Sequence, residues 1–394
     1  MAHPSARRNT GQCRDNSPWQ RVTPAFDDVL TRHSPSGSLT VRAFGIPEEN
    51  MTAKENYRQA IEFGGPAYLP CAIGVNLDWL RDRDEGKRKR VRELASRFPN
   101  DILGRVSAAR NSSEPACRDG VTRWTDEWQT GWEDDGHGGK TEVYPLLDGY
   151  EALLEYFFPD PFLPGRFNEA DERLQQRGDR YVQGDVWFTL FERLWMLRSF
   201  ENMLMDPYTD EENFCRLRDR IVEYNLAMID QWLARGVDAV FFSDDWGCQR
   251  GLLMNPDDWR RFYKPAYRRM FERVRSGGAH VWMHLCGNIT AILPDLIDSG
   301  LNVLNPVQPQ AMDVRQLSRE FGGKVCFNGG VDVQGTLVRG TPDEVRREVD
   351  ELVSLFGRFN GGYIGGTSHS VMPETPLDNV VALFEAFVEY TVGK

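Results

Sequence analysis

The sequence predicts an α/β fold, a (β/α)8 TIM barrel with an irregular N-terminal extension. Two observations carry this. From residue 237 onward, strand-like runs at 238–243, 280–284, 302–305, 324–328 and 361–364 are each followed by a helical segment with readable ends. Five successive βα units imply a parallel sheet, because each parallel pairing needs a crossover. An open nucleotide-binding sheet would carry G-x-G-x-x-G after an early strand; none occurs, which favours the closed barrel. A length of 394 residues suits one barrel with additions as well as it suits two or three ordinary domains.

Residues 1–50 mix Ser, Pro, Arg, Asn and Gly and read as an extension to a barrel domain over 51–394. The opening stretch is basic but lacks the apolar core of a secretory signal, and Met51 is a candidate start in its own right. Thr52-Ala-Lys-Glu55 has the spacing of a capping box and predicts a helix through Phe63. Residues 68–74, 101–106 and 180–186 read as three earlier strands that complete the eight. Between them lie an aromatic, acidic stretch at 124–132, a Gly-rich turn at 133–139 and a Pro-rich connection at 157–164. A long helix is predicted over 210–235, closed by Gly236. Asn255-Pro256 starts another, which Gly277-Gly278 ends. Thr341-Pro-Asp-Glu344 is a second capping box, stopped at Gly357, and Thr375-Pro-Leu-Asp378 opens the last helix.

The composition, 40% hydrophobic and 27% charged, is that of an ordinary globular protein. A net charge of −12 repels phosphate backbones and anionic lipid, which argues against nucleic-acid or membrane-surface partners. No apolar run approaches the ~18 residues of a membrane helix. Seven scattered cysteines without C-x-x-C spacing suit reduced thiols in a cytoplasm.

Barrel enzymes carry their sites at the C-terminal strand ends. Here each of the five regular strands ends in polar or metal-binding side chains: Asp244, Asp245 and Gln249; His284 and Cys286; Asn305 and Gln308; Asn328 and Asp332; His369. A purely structural barrel has no reason to do this at every strand, so the pattern points to an enzyme acting on a small molecule. In a strand, residues two apart share a face, so His284 and Cys286 both project into the mouth. Imidazole plus thiolate is half of a zinc site, and sulfur selects zinc over magnesium. Of the six histidines, His369 alone among the others stands at a strand end, making it the natural third ligand. The plain alternative is a buried cysteine beside a hydrogen-bonded histidine with no metal.

Asp244 and Asp245 offer a general acid or base at a strand end, or a cap for the next loop; only one of two adjacent residues can face inward. Asp126 and Trp128 make a second acidic and aromatic group, suited to holding a planar or methylated substrate or to anchoring a long loop. Phe191-Glu-Arg193 reads as a solvated or ion-paired helix face. The corrinoid-binding pattern D-x-H-x-x-G is approached at Asp135 and His137, but Lys140 occupies the glycine position, so the chain has no corrinoid motif of its own.

Five segments, GVDAVFFSDDWG, HLCGN, FGGKVCFNGGVDVQ, RGTPDEVRREVDELV and SHSVMPETPLDNV, together resemble the uroporphyrinogen decarboxylase superfamily, in that family's order. The resemblance implies a (β/α)8 barrel and two chemistries. One branch decarboxylates uroporphyrinogen without metal and carries an arginine-rich RQAGR-type motif near its start; here that region reads AYLPCAIGVNLDW, with no arginine until Arg81, although His369 matches its GHG-type histidine. The other branch comprises zinc methyltransferases that move a methyl group between a corrinoid protein and a thiol such as coenzyme M. His284 and Cys286 match its H-x-C motif, and His369 stands where a cysteine is usual. That branch implies a zinc-bound acceptor thiolate attacking the methyl carbon on Co(III), with Asp245 or Asp244 orienting a ligand or taking the proton. It also implies a separate corrinoid-carrying partner. Gln249, Asn305, Gln308, Asn328 and Asp332 are then substrate-binding candidates beside Asp126 and Trp128. A zinc methyltransferase is the first expectation, a metal-free decarboxylase the alternative, and a non-catalytic ligand-binding barrel the third.

Overall fold

The computed structural model describes residues 51–135 and 139–391. The expected extension at 1–50 and the histidines at 3, 33 and 137 lie outside these. Helix α1 (Ala53–Ile61) begins at the capping box: Thr52 Oγ1 accepts from the Glu55 amide at 3.1 Å and the Thr52 amide donates to Glu55 Oε2 at 2.9 Å. It stops before Phe63 because that residue adopts a left-handed φ of 59°. Tyr57 and Ile61 on its buried face join Tyr181, Ala239, Phe241, Trp282, Val303, Cys326 and Ile364 in one apolar cluster. Each such burial is worth on the order of 2 kcal/mol. Helix α2 (Glu85–Ala95) follows.

Strand β1 (Ile102–Val106) leads into an antiparallel sheet of β2 (Ala116–Arg118), β3 (Val121–Thr125), β4 (Gly131–Asp134) and β5 (Gly139–Val143), paired in that order. The aromatic stretch read as a loop is therefore a hairpin, with Trp124 opposite Trp132 and their rings stacked at 6.1 Å. A 3-10 turn (Glu151–Leu154), α3 (Asn168–Gln175) and β6 (Tyr181–Val186) return the chain to the main sheet. Then come α4 (Phe191–Arg198), α5 (Phe200–Thr209) and the long helix α6 (Glu211–Ala234), capped by Asp210 and followed by Gly236 at φ 67°.

The predicted βα units follow: β7 (Ala239–Ser243), a short ribbon β8 (Gly247–Cys248) and β9 (Gly251–Leu252), and helices α7 (Pro256–Phe262) and α8 (Lys264–Ser276). The helix predicted as one piece over this stretch breaks at Tyr263, since Pro265 sits in the first turn of α8. After β10 (His280–His284) come α9 (Leu293–Ser299), β11 (Val303–Val307), α10 (Val314–Phe321), β12 (Cys326–Gly329), α11 (Thr336–Arg339), α12 (Pro342–Phe356), β13 (Tyr363–Ile364) and α13 (Leu377–Thr391).

The main sheet is parallel, in the order β1-β6-β7-β10-β11-β12-β13. Cys71 pairs in parallel with Gly365 beyond β13, so the predicted strand at 68–74 takes the eighth place as a single bridge. Alternation fixes what faces inward. Phe241 and Trp282 lie in the inner cluster, while Val240, Phe242, Val281 and Met283 belong to the larger core that packs the helices. Two residues further along, Ser243 and His284 are paired across β7 and β10, and His284 is paired in turn with Asn305. No helix among the described residues is long and apolar enough to cross a membrane.

Candidate functional site

His284 closes β10. Its Nδ1 lies 2.8 Å from Asn305 Oδ1, and its Nε2 lies 3.5 Å from Cys286 Sγ. His369 arrives from the segment after β13, which is tied to the β12 end by the Ser368 amide donating to the Val331 carbonyl at 2.8 Å. The two imidazole rings stand 5.9 Å apart at 70°, and the three donor atoms of His284, Cys286 and His369 fall within 4.8 Å of one another. Two imidazole nitrogens and one sulfur form a donor set suited to zinc with one open position. Burial lowers the pKa of both histidines, favouring the neutral, ligating form. Burial and then the neighbouring Asp245 push the Cys286 thiol well up, so a cation is what would draw off its proton.

The HLCGN segment is shaped by a close approach. Gly287 has φ 81°, and a Cβ there would meet the Gly247 carbonyl carbon at 2.3 Å. Only glycine lets the loops after β7 and β10 touch, and the contact brings Asp245 beside Cys286. Asp245 Oδ1 accepts from the Cys286 amide at 2.9 Å. Gln308 Oε1 accepts from the Gly287 amide at 2.7 Å, and its Nε2 stands 3.6 Å from Cys286 Sγ.

Asp244 turns away from this group, and the expected catalytic role gives way to a capping one. Its buried carboxylate accepts from the amides of Leu190, Phe191 and Glu192 at 2.9, 3.0 and 2.8 Å, holding the start of α4. Burial outweighs the pull of those amides and raises the Asp244 carboxyl to about 8. Burial and the charges of Asp245 and Asp244 push Glu192 far above the usual carboxylate range. Glu192 accepts from Ser243 Oγ at 3.1 Å and is nearly fully buried, where the sequence suggested a solvated helix face.

The remaining candidates divide. Asn305 stands beside His284 and in turn donates from Nδ2 to Asn328 Oδ1. Gln249 is exposed on the β8–β9 ribbon, 3.5 Å from Gln334. Asp332 is buried in the turn after β12, accepting from Gln310 Nε2 at 2.6 Å and the Gln334 amide at 2.9 Å. Asp126 anchors the β3–β4 turn: it accepts from the Trp128 and Thr130 amides, both at 2.9 Å, from Trp132 Nε1 at 3.0 Å and from Arg193 at 3.3 Å. Trp128 is buried, with Arg193 4.6 Å above its ring. It borders a cavity of about 40 Å³ that Trp187, Arg110 and Asp185 also line. Asp126 thus anchors the turn of the inserted sheet, and Trp128 packs beneath it at the edge of that cavity.

Sequence reasoning missed Arg105 and Trp187. The Arg105 guanidinium lies 4.4 Å from the Trp187 ring and 4.7 Å from the Phe241 ring, and both rings flank His284, at 5.6 and 6.3 Å. Burial lowers the Arg105 pKa. The carboxylate whose charge reaches it, Asp185, is engaged by Ser107 Oγ at 2.7 Å and Arg110 at 3.3 Å. Period-two alternation in 102–106 does not place this arginine on the inner face, because the register of β1 against β6 shifts between Ile102 and Gly104.

A parallel βα sheet with histidine, thiol and carboxylate gathered at the strand ends defines a TIM-barrel-like protein with its site at the C-terminal rim. The sequence family described as Uroporphyrinogen decarboxylase (URO-D) matches residues 188–390, just over half of the chain, and the chain belongs to that family. Its relatives divide. It is 28% identical over 193 residues to a uroporphyrinogen decarboxylase of Solibacter usitatus, covering 49% of this chain and 53% of that protein. It is 27% identical over 172 residues to the methylcobamide:CoM methyltransferase MtaA of Methanosarcina barkeri, covering 44% and 48%. The chain thus spans about half the length of the curated relatives it matches. Among solved structures, a methyltransferase from Methanosarcina mazei shares the fold, with a TM-score of 0.59 at 18% identity over 86% of this chain and 99% of that one.

Proposed function

We propose that this protein is a zinc-dependent methyltransferase that moves a methyl group between a separate corrinoid-carrying protein and a thiol or similar small acceptor. The observation that carries the reading is the convergence of His284 Nε2, Cys286 Sγ and a His369 nitrogen within 4.8 Å at the rim. Zinc held there by these three residues would supply a Lewis acid that lowers the pKa of an acceptor thiol at the open position. The chain's own residues do the rest. Asp245 holds the Cys286 loop through the amide and is the neighbouring carboxylate that would take up the thiol proton if Cys286 ligated a metal. Gln308 donates toward the same sulfur. The rings of Trp187 and Phe241 wall the centre on the side of His284.

Elemental analysis of anaerobically purified protein is expected to find near one zinc per chain, lost in Cys286→Ala. Methyl transfer from methylcobalamin to a thiol should vanish with it while the variant stays folded. Zinc-free protein with protected thiols, or full activity in the variant, overturns the reading. A second reading, a metal-free decarboxylase, draws support from Arg105, a guanidinium near the imidazoles that suits a carboxylated substrate. It requires His369-dependent release of CO2 from a porphyrinogen, indifferent to chelators.

A further inference from the structure

We propose that Asn305 and Asn328 are positioning residues, which fix His284 in the Nδ1–H tautomer and so aim the Nε2 lone pair at Cys286. The argument is one of hydrogen-bond polarity along a row that crosses four strands. It begins at a group with no choice: the Ile364 carbonyl on β13 can only accept, and Asn328 Nδ2 donates to it at 3.1 Å. That contact fixes which end of the Asn328 amide is which, so Oδ1 is the end that faces β11. Asn305 must meet it with Nδ2, as it does. Asn305 Oδ1 is then the end that faces β10, and an amide oxygen can only accept. The nitrogen 2.8 Å away, His284 Nδ1, must therefore carry the ring's proton when the ring is neutral. Reversing the Asn328 amide would set acceptor against acceptor at Ile364 and donor against donor at Asn305, and reversing Asn305 would set acceptor against acceptor at Asn328, which is only 4% exposed.

The row follows from register. Asn305 is the β11 partner of His284, and Asn328 is the β12 partner of Ile364, so inward-facing side chains at one level of neighbouring strands meet edge to edge. Free imidazole distributes its proton between both nitrogens. A backbone carbonyl two side chains away removes that freedom here, and neither asparagine needs to touch a substrate. The tautomer holds whether or not a metal binds, whereas the effect on metal affinity rests on the zinc reading.

Two-bond proton–nitrogen spectra of the full-length, metal-free protein labelled with 15N-histidine test this directly, the His284 signals being assigned by their loss in His284→Ala. The wild type is expected to show a protonated Nδ1 and a bare Nε2. Asn328→Leu, which leaves the His284 contact itself untouched, should yield a mixture of tautomers, and Asn305→Leu a larger shift toward Nε2–H. Asn305→Asp, which keeps an acceptor against Nδ1, should restore the wild-type pattern. Zinc affinity should fall about tenfold to a hundredfold in the two leucine variants and recover in Asn305→Asp. A wild-type ring protonated on Nε2, or an Asn328→Leu spectrum identical to the wild type, overturns the proposal, and the wild-type spectrum decides even where a variant fails to fold. An Nδ1–H ring in a protein that binds no zinc sustains the relay and defeats the methyltransferase reading instead.

Discussion

Adjacent aspartates at the end of β7 have opposite fates, and the backbone explains both. Successive residues leaving a strand point to opposite sides. Asp245 therefore reaches the Cys286 amide at the rim, and Asp244 is driven into the helix layer, where three amides of the α4 start receive it. Asp244→Asn turns an amide NH2 toward those donors and should cost about 1–3 kcal/mol in urea unfolding, with metal content kept. Asp245→Asn should leave the unfolding midpoint nearly unchanged and lower methyl transfer. Equal losses of stability in the two variants would contradict the division. At this scale the sequence was informative where period two applied: His284 and Cys286 share a side because they are two apart. It was silent on Glu192 and Arg105, whose importance comes from neighbours distant along the chain.

Among the elements, helix starts were the most legible, because a cap is a local contract between residues three apart. Both Thr-x-x-Glu boxes form as spaced, at Thr52 and Thr341. Legibility failed where tertiary cover overrode local pattern. Helix α4 looked like a polar face at Glu192 and Arg193, yet seven of its eight residues are buried. The inserted sheet covers it, with Trp132 stacked on Phe188 at 6.0 Å and Arg193 held by Asp126 at 3.3 Å. The strand β1 carries a cost of its own. Asp101, just before it, is 4% exposed and has the Tyr68 hydroxyl at 2.6 Å, and burial raises its pKa from 3.8 to about 6. A raised carboxyl stabilises the fold below its unfolded pKa and loses that contribution as pH rises through its folded one. Between pH 4 and pH 6 this amounts to about 2–3 kcal/mol. Asp101→Asn keeps an acceptor for Tyr68 without the charge. Its stability relative to wild type should therefore climb over that interval and level off above it; a difference independent of pH in urea titrations would refute the assignment.

At the scale of the whole molecule, charge and site pull in opposite directions. The chain carries a net charge of −12, which disfavours anionic ligands at long range. Within the barrel the balance reverses: Arg110 pairs with Asp185 at 3.3 Å, while the Arg105 guanidinium lies against aromatic rings beside His284. A half-buried cation that forms no direct ion pair among the described residues is costly unless a ligand completes it, and both proposed chemistries admit an anionic small molecule at that position. Long-range repulsion is screened by salt, whereas a contact inside the mouth is screened far less. Raising salt from low to physiological strength should therefore strengthen, or leave unchanged, the binding of a small carboxylate such as propionate. Arg105→Met should weaken that binding about tenfold or more, since hydrogen bonds to charged groups contribute about 1.5–3 kcal/mol. Calorimetry at two salt concentrations on both proteins measures this. Propionate binding that is unaffected by Arg105→Met and falls steeply with salt would place the anion on the outer surface, and would leave the Arg105 guanidinium with a role in packing alone.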